Sequence, residues 1–318
     1  MNTNNIVNKG LVLIVDEIHL SLLPMLEKLG YQADYQPKIT RIEICEKLNN
    51  YVGLIIRSKT FVDAELLVNA HQLRFIARAG AGLDLIDIDI VKAKNITLFA
   101  ANEGNRVAVA EHVLGMVLCL MNNILIADSE IRNGVWQREK NRGFELMGKT
   151  VGIIGYGNNG SETAKRFRAF GCKVLVYDKY KTNFSNEHVE ESSMENIFEN
   201  AEVLSLHIPL SNESNQLVNS SYLSKFMHNI FFINASRGEI VSLEAVADAI
   251  EQGKIIGAGL DVLENEKLEK LTTEQKAIFD RIIDSKKVIF TPHIAGWTFE
   301  SYVKINEVLV EKISTILE

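Results

Sequence analysis

Three cysteines and four prolines in 318 residues are the first scarcities of this chain. Cys45, Cys119 and Cys172 lie far apart, without a Cys-x-x-Cys pair or a Cys/His ligand spacing. That pattern excludes a disulfide-stapled scaffold and a structural zinc site, so three buried, reduced thiols and no metal are expected. Proline-rich linkers, internal repeats and low-complexity tracts are lacking too. Basic charge is short: 34 Lys and Arg against 41 Asp and Glu give a formal charge of -7. General binding to nucleic acid or to an anionic membrane face needs a surplus of cations, and both are disfavoured. An anionic substrate would have to be held by a local basic cluster. No apolar run approaches the roughly 20 residues of a membrane span, and the opening Met1-Asn-Thr-Asn-Asn-Ile-Val-Asn-Lys9 has no signal-peptide core. A soluble cytoplasmic protein is the expectation.

What the chain does contain is alternation. Its length suits two domains of ordinary size, and 47% hydrophobic with 24% charged residues is the balance of a globular protein. Short apolar runs alternate with amphipathic stretches, the pattern of α/β folds with parallel sheets. A first series of strands is expected at 11–15, 31–35, 53–56, 75–77 and 96–99. A second is expected at 151–154, 173–177, 203–206, 230–233, 256–260 and 288–290. Between them, Val107 to Ile126 is so uniformly apolar that it predicts one long buried helix connecting the domains or lying at a subunit interface. A last helix, Phe299 to Leu317, is expected to return to the first domain.

The chemistry begins at Gly155-Tyr-Gly157-Asn-Asn-Gly160. Gly-x-Gly-x-x-Gly alone is a weak signal, but this one follows the strand Thr150 to Ile154 and precedes a helix, Ser161 to Phe170. In that context Gly155 permits the tight turn, Gly157 lets a pyrophosphate approach the backbone, and Gly160 lets helix and strand pack closely. The helix N-terminus then offers free N–H groups to the phosphates. A second strand ends in Asp178, where a carboxylate meets the adenosine ribose, which favours NAD. Lys179 and Lys181 beside it leave NADP open, because cations there could receive a 2′-phosphate.

Three further segments place polar residues after predicted strands, where open α/β sheets bind ligands. They are Asn234-Ala-Ser-Arg237-Gly238, Asp261-Val-Leu-Glu-Asn-Glu266 and Thr291-Pro-His293-Ile-Ala-Gly296. Together they supply a cation, a carboxylate and an imidazole. An imidazole can move a proton near neutral pH, so His293 is the candidate base, and Arg237 is a planar fork suited to a carboxylate. His112 is read as capping or packing its own helix.

With the glycine turn, and with Arg57-Ser58, Arg78-Ala-Gly80-Ala-Gly82-Leu-Asp84, Asn105 to Glu111, Glu145 to Lys149 and Leu206-His-Ile-Pro-Leu210, these segments resemble the D-isomer-specific 2-hydroxyacid dehydrogenase family, especially its phosphoglycerate dehydrogenase branch. The resemblance covers nearly the whole chain. It implies two doubly wound parallel-sheet α/β domains: a Rossmann-type NAD-binding domain, 105–292, inserted into a flavodoxin-like substrate domain formed by 1–104 and 293–318, with a cleft between them. It gives Glu266 the task of orienting His293, and places Asp261 beside the nicotinamide. It adds Asn158, Asn159, His207, Pro209, Ser236 and Gly296 to the cofactor site, His207 without a proton-transfer role.

For the acid, the resemblance points to Arg57, Ser58 and Asn105, with carboxylate-binding backbone N–H groups around Ala79 and Gly80. Arg78 and Arg138 add positive charge. The expected reaction is oxidation of 3-phospho-D-glycerate to 3-phosphohydroxypyruvate, the entry to serine synthesis. Reduction of glyoxylate, hydroxypyruvate or another 2-keto acid is the alternative, and an NAD-sensing corepressor-like binding protein a remote one. A homodimer built around the cofactor domains is implied. Because the chain stops soon after the returning helix, no regulatory domain and no serine feedback are expected. Asn159, Leu263 and Lys267 depart from residues usual in the family, and none of them is a reacting group.

Overall fold

The computed structural model describes residues 8–316. The chain divides into two compact units, Met1–Asn105 with Trp297–Glu318, and Arg106–Gly296. The opening stretch before residue 8 and the expected helix end at Leu317 lie outside the described residues.

The smaller unit contains β1 (Gly10–Ile14), α1 (Leu22–Lys28), β2 (Tyr31–Tyr35), α2 (Arg41–Lys47), β3 (Gly53–Ile56), β4 (Phe75–Arg78), α3 (Ile88–Ala93) and β5 (Thr97–Ala100). The strands form one parallel sheet in the order β2-β1-β3-β4-β5, the flavodoxin-like order. Successive strand residues point to opposite faces, and both faces are covered. Leu13, Leu54, Ile56 and Ile76 belong to one core. Val12, Ile14, Ile55 and Phe75 belong to the other. The helix Phe299–Ile313 closes this second face with Ile305, Leu309 and Ile313, spaced four apart on one side of the helix. A capping box at Thr298 and Ser301 sets where it starts.

The larger unit runs α4 (Arg106–Met121), α5 (Ile124–Arg132), β6 (Thr150–Ile154), α6 (Asn158–Ala169), β7 (Lys173–Tyr177), β8 (Glu190–Glu191), α7 (Met194–Asn200), β9 (Val203–Leu206), α8 (Ser220–Leu223), β10 (Ile230–Asn234), α9 (Leu243–Glu251), β11 (Ile255–Leu260), α10 (Thr273–Ile282) and β12 (Val288–Phe290). Its seven parallel strands are ordered β12-β11-β10-β9-β6-β7-β8, which is the Rossmann order counted from β6, with one strand added. The order reverses between β6 and β9, so ligands are expected beyond the carboxyl ends of those strands. Val151, Ile153 and Phe231 pack towards α4 and α6. Leu204, Phe232 and Leu260 pack towards α7, α8 and α9.

Four expectations need correction. The single helix 107–126 is two, meeting at 61°. Asn123 sits between them in the left-handed region at φ 53, which asparagine tolerates better than other side chains. Nor is α4 only a connector: Val113, Met116 and Val117 lie in the core of the larger unit. The segment His293 to Gly296 goes with the larger unit rather than the smaller. It is tied there, because Ile294 and Ala295 donate their N–H groups to Asp261 and Ala295 is buried in that unit's core. Finally, Cys172 is buried, but Cys45 and Cys119 are only partly so; all three are unpaired. The two-residue strand β8 carries two glutamates and no apolar period, so no pattern announced it. Among the described residues no single helix is long and apolar enough to cross a membrane.

Candidate active site

The glycine turn joins β6 to α6, and α6 begins at Asn158, three residues earlier than expected. Gly155 stands at φ +97 with its back against the His207 carbonyl, and donates its N–H to Tyr177 O at 2.8 Å. A Cβ at Gly160 would collide with the Gly155 carbonyl oxygen, so only glycine lets the helix start this close to the strand. Gly157 differs from both: nothing lies within 4 Å of where its Cβ would project. As the N-cap of α6 it brings no side-chain cap, which leaves first-turn N–H groups to an outside acceptor. Asn159 adds a buried Oδ1 without a partner. An open cradle with uncapped donors fits a pyrophosphate.

Past β7, Asp178 accepts from Tyr156 N at 2.7 Å, Tyr180 N at 2.9 Å and Lys181 N at 3.0 Å. Burial pushes its carboxyl up, but the three backbone donors outweigh burial and hold it below its ordinary value. A carboxylate has about four acceptor positions, so one remains for a ribose hydroxyl. Both neighbouring lysines are engaged: Lys179 pairs with Glu213, and Lys181 Nζ donates to Tyr156 O at 2.7 Å. That leaves the acid as the dominant group at this strand end, which suits an unphosphorylated ribose.

The next strand ends follow in a row. After β9, His207 Nε2 lies 3.0 Å from Ser205 Oγ, and burial pushes the imidazole down to about 4, so it stays neutral. Two residues on, Pro209 O accepts from Ser214 Oγ at 2.8 Å. After β10, Ser236 Oγ donates to Leu206 O at 2.6 Å, while Asn234 ties the turn by accepting from Ser236 N and donating to Arg237 O. Arg237 Nη1 donates to the Ser236 carbonyl at 2.7 Å. After β11, Asp261 is 2% exposed, and its carboxylate accepts from Thr291 Oγ1 at 2.6 Å, Ile294 N at 2.9 Å and Ala295 N at 2.9 Å. The loop after β12 is thereby fixed, with His293 at φ +55. Several bonds thus hold a residue with a Cβ in an uncommon conformation.

His293 Nδ1 lies 2.9 Å from Glu266 Oε1. A carboxylate only accepts, so Nδ1 carries the proton of the neutral ring and Nε2 presents a lone pair. Both side chains are about half exposed.

The smaller unit builds a different end. Asp16, buried past β1, accepts from the N–H groups of Arg57, Ser58 (3.0 Å) and Lys59 (3.3 Å), which fixes the loop after β3 at the switch point of this sheet. The Arg57 guanidinium lies over Trp297, 3.7 Å from the ring centroid, with Tyr302 at 5.2 Å. Burial pulls its pKa below the ordinary value without threatening its charge. Arg78 Nε donates to Arg57 O at 3.1 Å. Asn105 keeps a buried Oδ1 without a partner.

Here a correction is due. The N–H of Ala79 is spent on Ile56 O and that of Gly80 on Arg78 O, both at 2.8 Å, so neither can take a carboxylate. Ala81 and Gly82, the next two residues, have N–H groups with no acceptor among the described residues. Arg138 lies on an exposed stretch after α5 and makes no ion pair among the described residues. His112, read as packing its own helix, instead reaches Thr291 Oγ1 at 3.0 Å. Read from the sequence, Asp16 has no role, and Asn234 and Thr291 have none of their own within their segments, although each is a small polar residue at a strand end, the signal that singles out Asp178. Trp297 and Tyr302 gave no such signal.

Residues 114–295 match the family model described as D-isomer specific 2-hydroxyacid dehydrogenase, NAD binding domain. A D-3-phosphoglycerate dehydrogenase of Archaeoglobus fulgidus is 32% identical over 304 residues, 95% of this chain and 56% of that one. A hydroxypyruvate reductase of Thermotoga maritima is 33% identical over 301 residues, 94% of each chain. The crystal structure of D-lactate dehydrogenase from Aquifex aeolicus complexed with NAD and lactic acid superposes with a TM-score of 0.80 at 26% identity, covering 96% of this chain and 94% of that one. The chain belongs to the D-isomer specific 2-hydroxyacid dehydrogenase family, a family of oxidoreductases, and its larger unit is the NAD-binding domain. It spans about half the length of the phosphoglycerate dehydrogenase it matches.

Proposed function

We propose that this chain interconverts a D-2-hydroxy acid and its 2-keto acid with NAD, and that the pair is 3-phospho-D-glycerate and 3-phosphohydroxypyruvate, at the entry to serine synthesis. The observation that carries the reaction is the His293–Glu266 contact of 2.9 Å on the loop ends beyond β11 and β12. NAD, held by Gly157, the first turn of α6 and Asp178, supplies the hydride acceptor. His293 Nε2 takes the proton of the C2 hydroxyl, and Glu266 holds the ring's tautomer and stabilises the imidazolium. Arg237 grips the substrate carboxylate and polarises the C2 oxygen.

The phosphorylated substrate is supported by the smaller unit, where Arg57 and Arg78 stand at the ends of adjacent strands beside the donors of Ala81 and Gly82. A group carrying nearly two charges suits paired guanidinium groups better than a lone carboxylate does. The Thermotoga relative, which matches over 94% of each chain, favours a second reading, reduction of hydroxypyruvate. Steady-state kcat/KM for 3-phosphoglycerate, glycerate and lactate, and for hydroxypyruvate and glyoxylate in reverse, decides between them. Equal or better turnover of the unphosphorylated acids would refute the phosphate assignment.

A homodimer is part of the same reading. Ile124, Leu125 and Ile131 of α5 and Trp136 just beyond it are exposed apolar side chains, and a second copy of the chain would bury them. Light scattering of the protein and of Trp136→Glu tests this, with a monomeric wild type as the contrary result. Three unpaired thiols suit a reducing compartment, the cytoplasm.

A further inference from the structure

His112 lies on the core helix α4, where the surrounding pattern calls for an apolar residue. Its Nε2 is 3.0 Å from Thr291 Oγ1 and 3.7 Å from Asp261 Oδ1. The hydroxyl of Thr291 has a single proton, and that proton is committed, because Oγ1 donates to the Asp261 carboxylate at 2.6 Å. Towards His112 the hydroxyl can therefore only accept, so His112 Nε2 must be the protonated nitrogen. The result is a chain of one direction, from His112 N–H to the Thr291 hydroxyl to Asp261.

Asp261 is where that chain acts on the site. The carboxylate that receives the Thr291 proton also receives the N–H groups of Ile294 and Ala295, and its own carbonyl accepts the N–H of His293 at 2.8 Å. Every one of these bonds holds the backbone around His293 in its left-handed conformation. Asp261 is 2% exposed and the His112 side chain 22%, so water competes little for the chain.

We infer that His112 is a positioning residue for His293: by donating to Thr291 it fixes the hydroxyl that completes the coordination of Asp261, and so the direction in which His293 presents Nε2. This rests on His293 being the base, as proposed above.

The test compares His112→Gln, whose amide can donate from a similar place, with His112→Phe, which fills the volume and cannot donate. The His293 imidazole resonances, assigned by their loss in His293→Ala, should shift in His112→Phe and return towards wild type in His112→Gln. Loss of one such bond should lower kcat about three- to tenfold in His112→Phe, with KM for NAD and thermal midpoint close to wild type and most of the loss recovered in His112→Gln. Unmoved His293 resonances in His112→Phe, or equal displacement in both variants, would overturn the inference. Displaced resonances with unaltered turnover would uphold the positioning and count instead against His293 as the base.

Discussion

The two sheets use the same device at their carboxyl ends and turn it to different ends. In the smaller unit a buried aspartate, Asp16, gathers the N–H groups of Arg57, Ser58 and Lys59. In the larger, Asp261 gathers those of Ile294 and Ala295 together with the Thr291 hydroxyl. A carboxylate that satisfies several backbone donors at once freezes a loop without an added element of secondary structure. What the frozen loops carry is unlike: the loop fixed by Asp16 carries the Arg57 guanidinium, and the loop fixed by Asp261 carries the His293 imidazole beside Glu266. In the proposed reading the substrate's phosphate is held on one framework, while its carboxylate meets Arg237 and its hydroxyl proton meets His293 on the other. Substitutions at the two ends should move different constants.

The largest effect is expected at the larger unit's end. His293→Ala should lower kcat by about 10²- to 10⁴-fold, with KM for the acid and the affinity for NAD little altered. A variant that lost affinity for the acid while keeping turnover would break the division of labour. The glycine turn sharpens the contrast between holding a fold and holding a ligand. Gly160→Ala should lower stability by about 1–3 kcal/mol, because its Cβ meets the Gly155 carbonyl, whereas Gly157→Ala should melt like wild type and lose affinity for NAD. Thermal melts and NAD titrations of the two proteins check this; a Gly157→Ala protein with full NAD affinity would mean that the cradle lies elsewhere.

At the smaller unit's end, Arg57→Gln should raise KM for the phosphorylated acid about 10- to 100-fold, the scale of a charge-assisted hydrogen bond, and leave kcat within a few fold. Its guanidinium is stacked on Trp297 and half buried, so it is already oriented before any ligand arrives. A fall in kcat equal to the rise in KM would merge the two ends into one functional unit.

The same contrast explains what could be read from residues alone. The inner strands were legible because they are buried on both faces and read as near-continuous apolar runs, as in β3 and β9. The glycine turn of the larger unit was legible because Gly155 and Gly160 each answer a backbone requirement that few residue types meet. The break at Asn123 was not, since one asparagine in the left-handed region interrupts an apolar stretch without altering its hydropathy. Which N–H groups around Ala79 and Gly80 stay open was not legible, because only the fold shows which of them backbone carbonyls consume. His112, Trp297 and Tyr302 contact partners that are distant in sequence, Thr291 for the first and Arg57 for the other two.

The smallest effect separates the units by pH. His207, at the end of β9, keeps some accessible surface as a residue, but its imidazole is enclosed by protein and is held at about 4. An unfolded histidine titrates near 6.5, so between about 6.5 and 4 the unfolded chain binds the extra proton and the folded one does not. Stability of the larger unit should then be level above neutrality and decline as pH falls through that window, by about 1–2 kcal/mol between pH 7 and 5. Denaturant midpoints at pH 7, 6 and 5 for wild type and His207→Gln measure it. The variant should lose less over this range than wild type does; parallel decline would mean that the imidazole is charged in the folded protein and that another group supplies the slope.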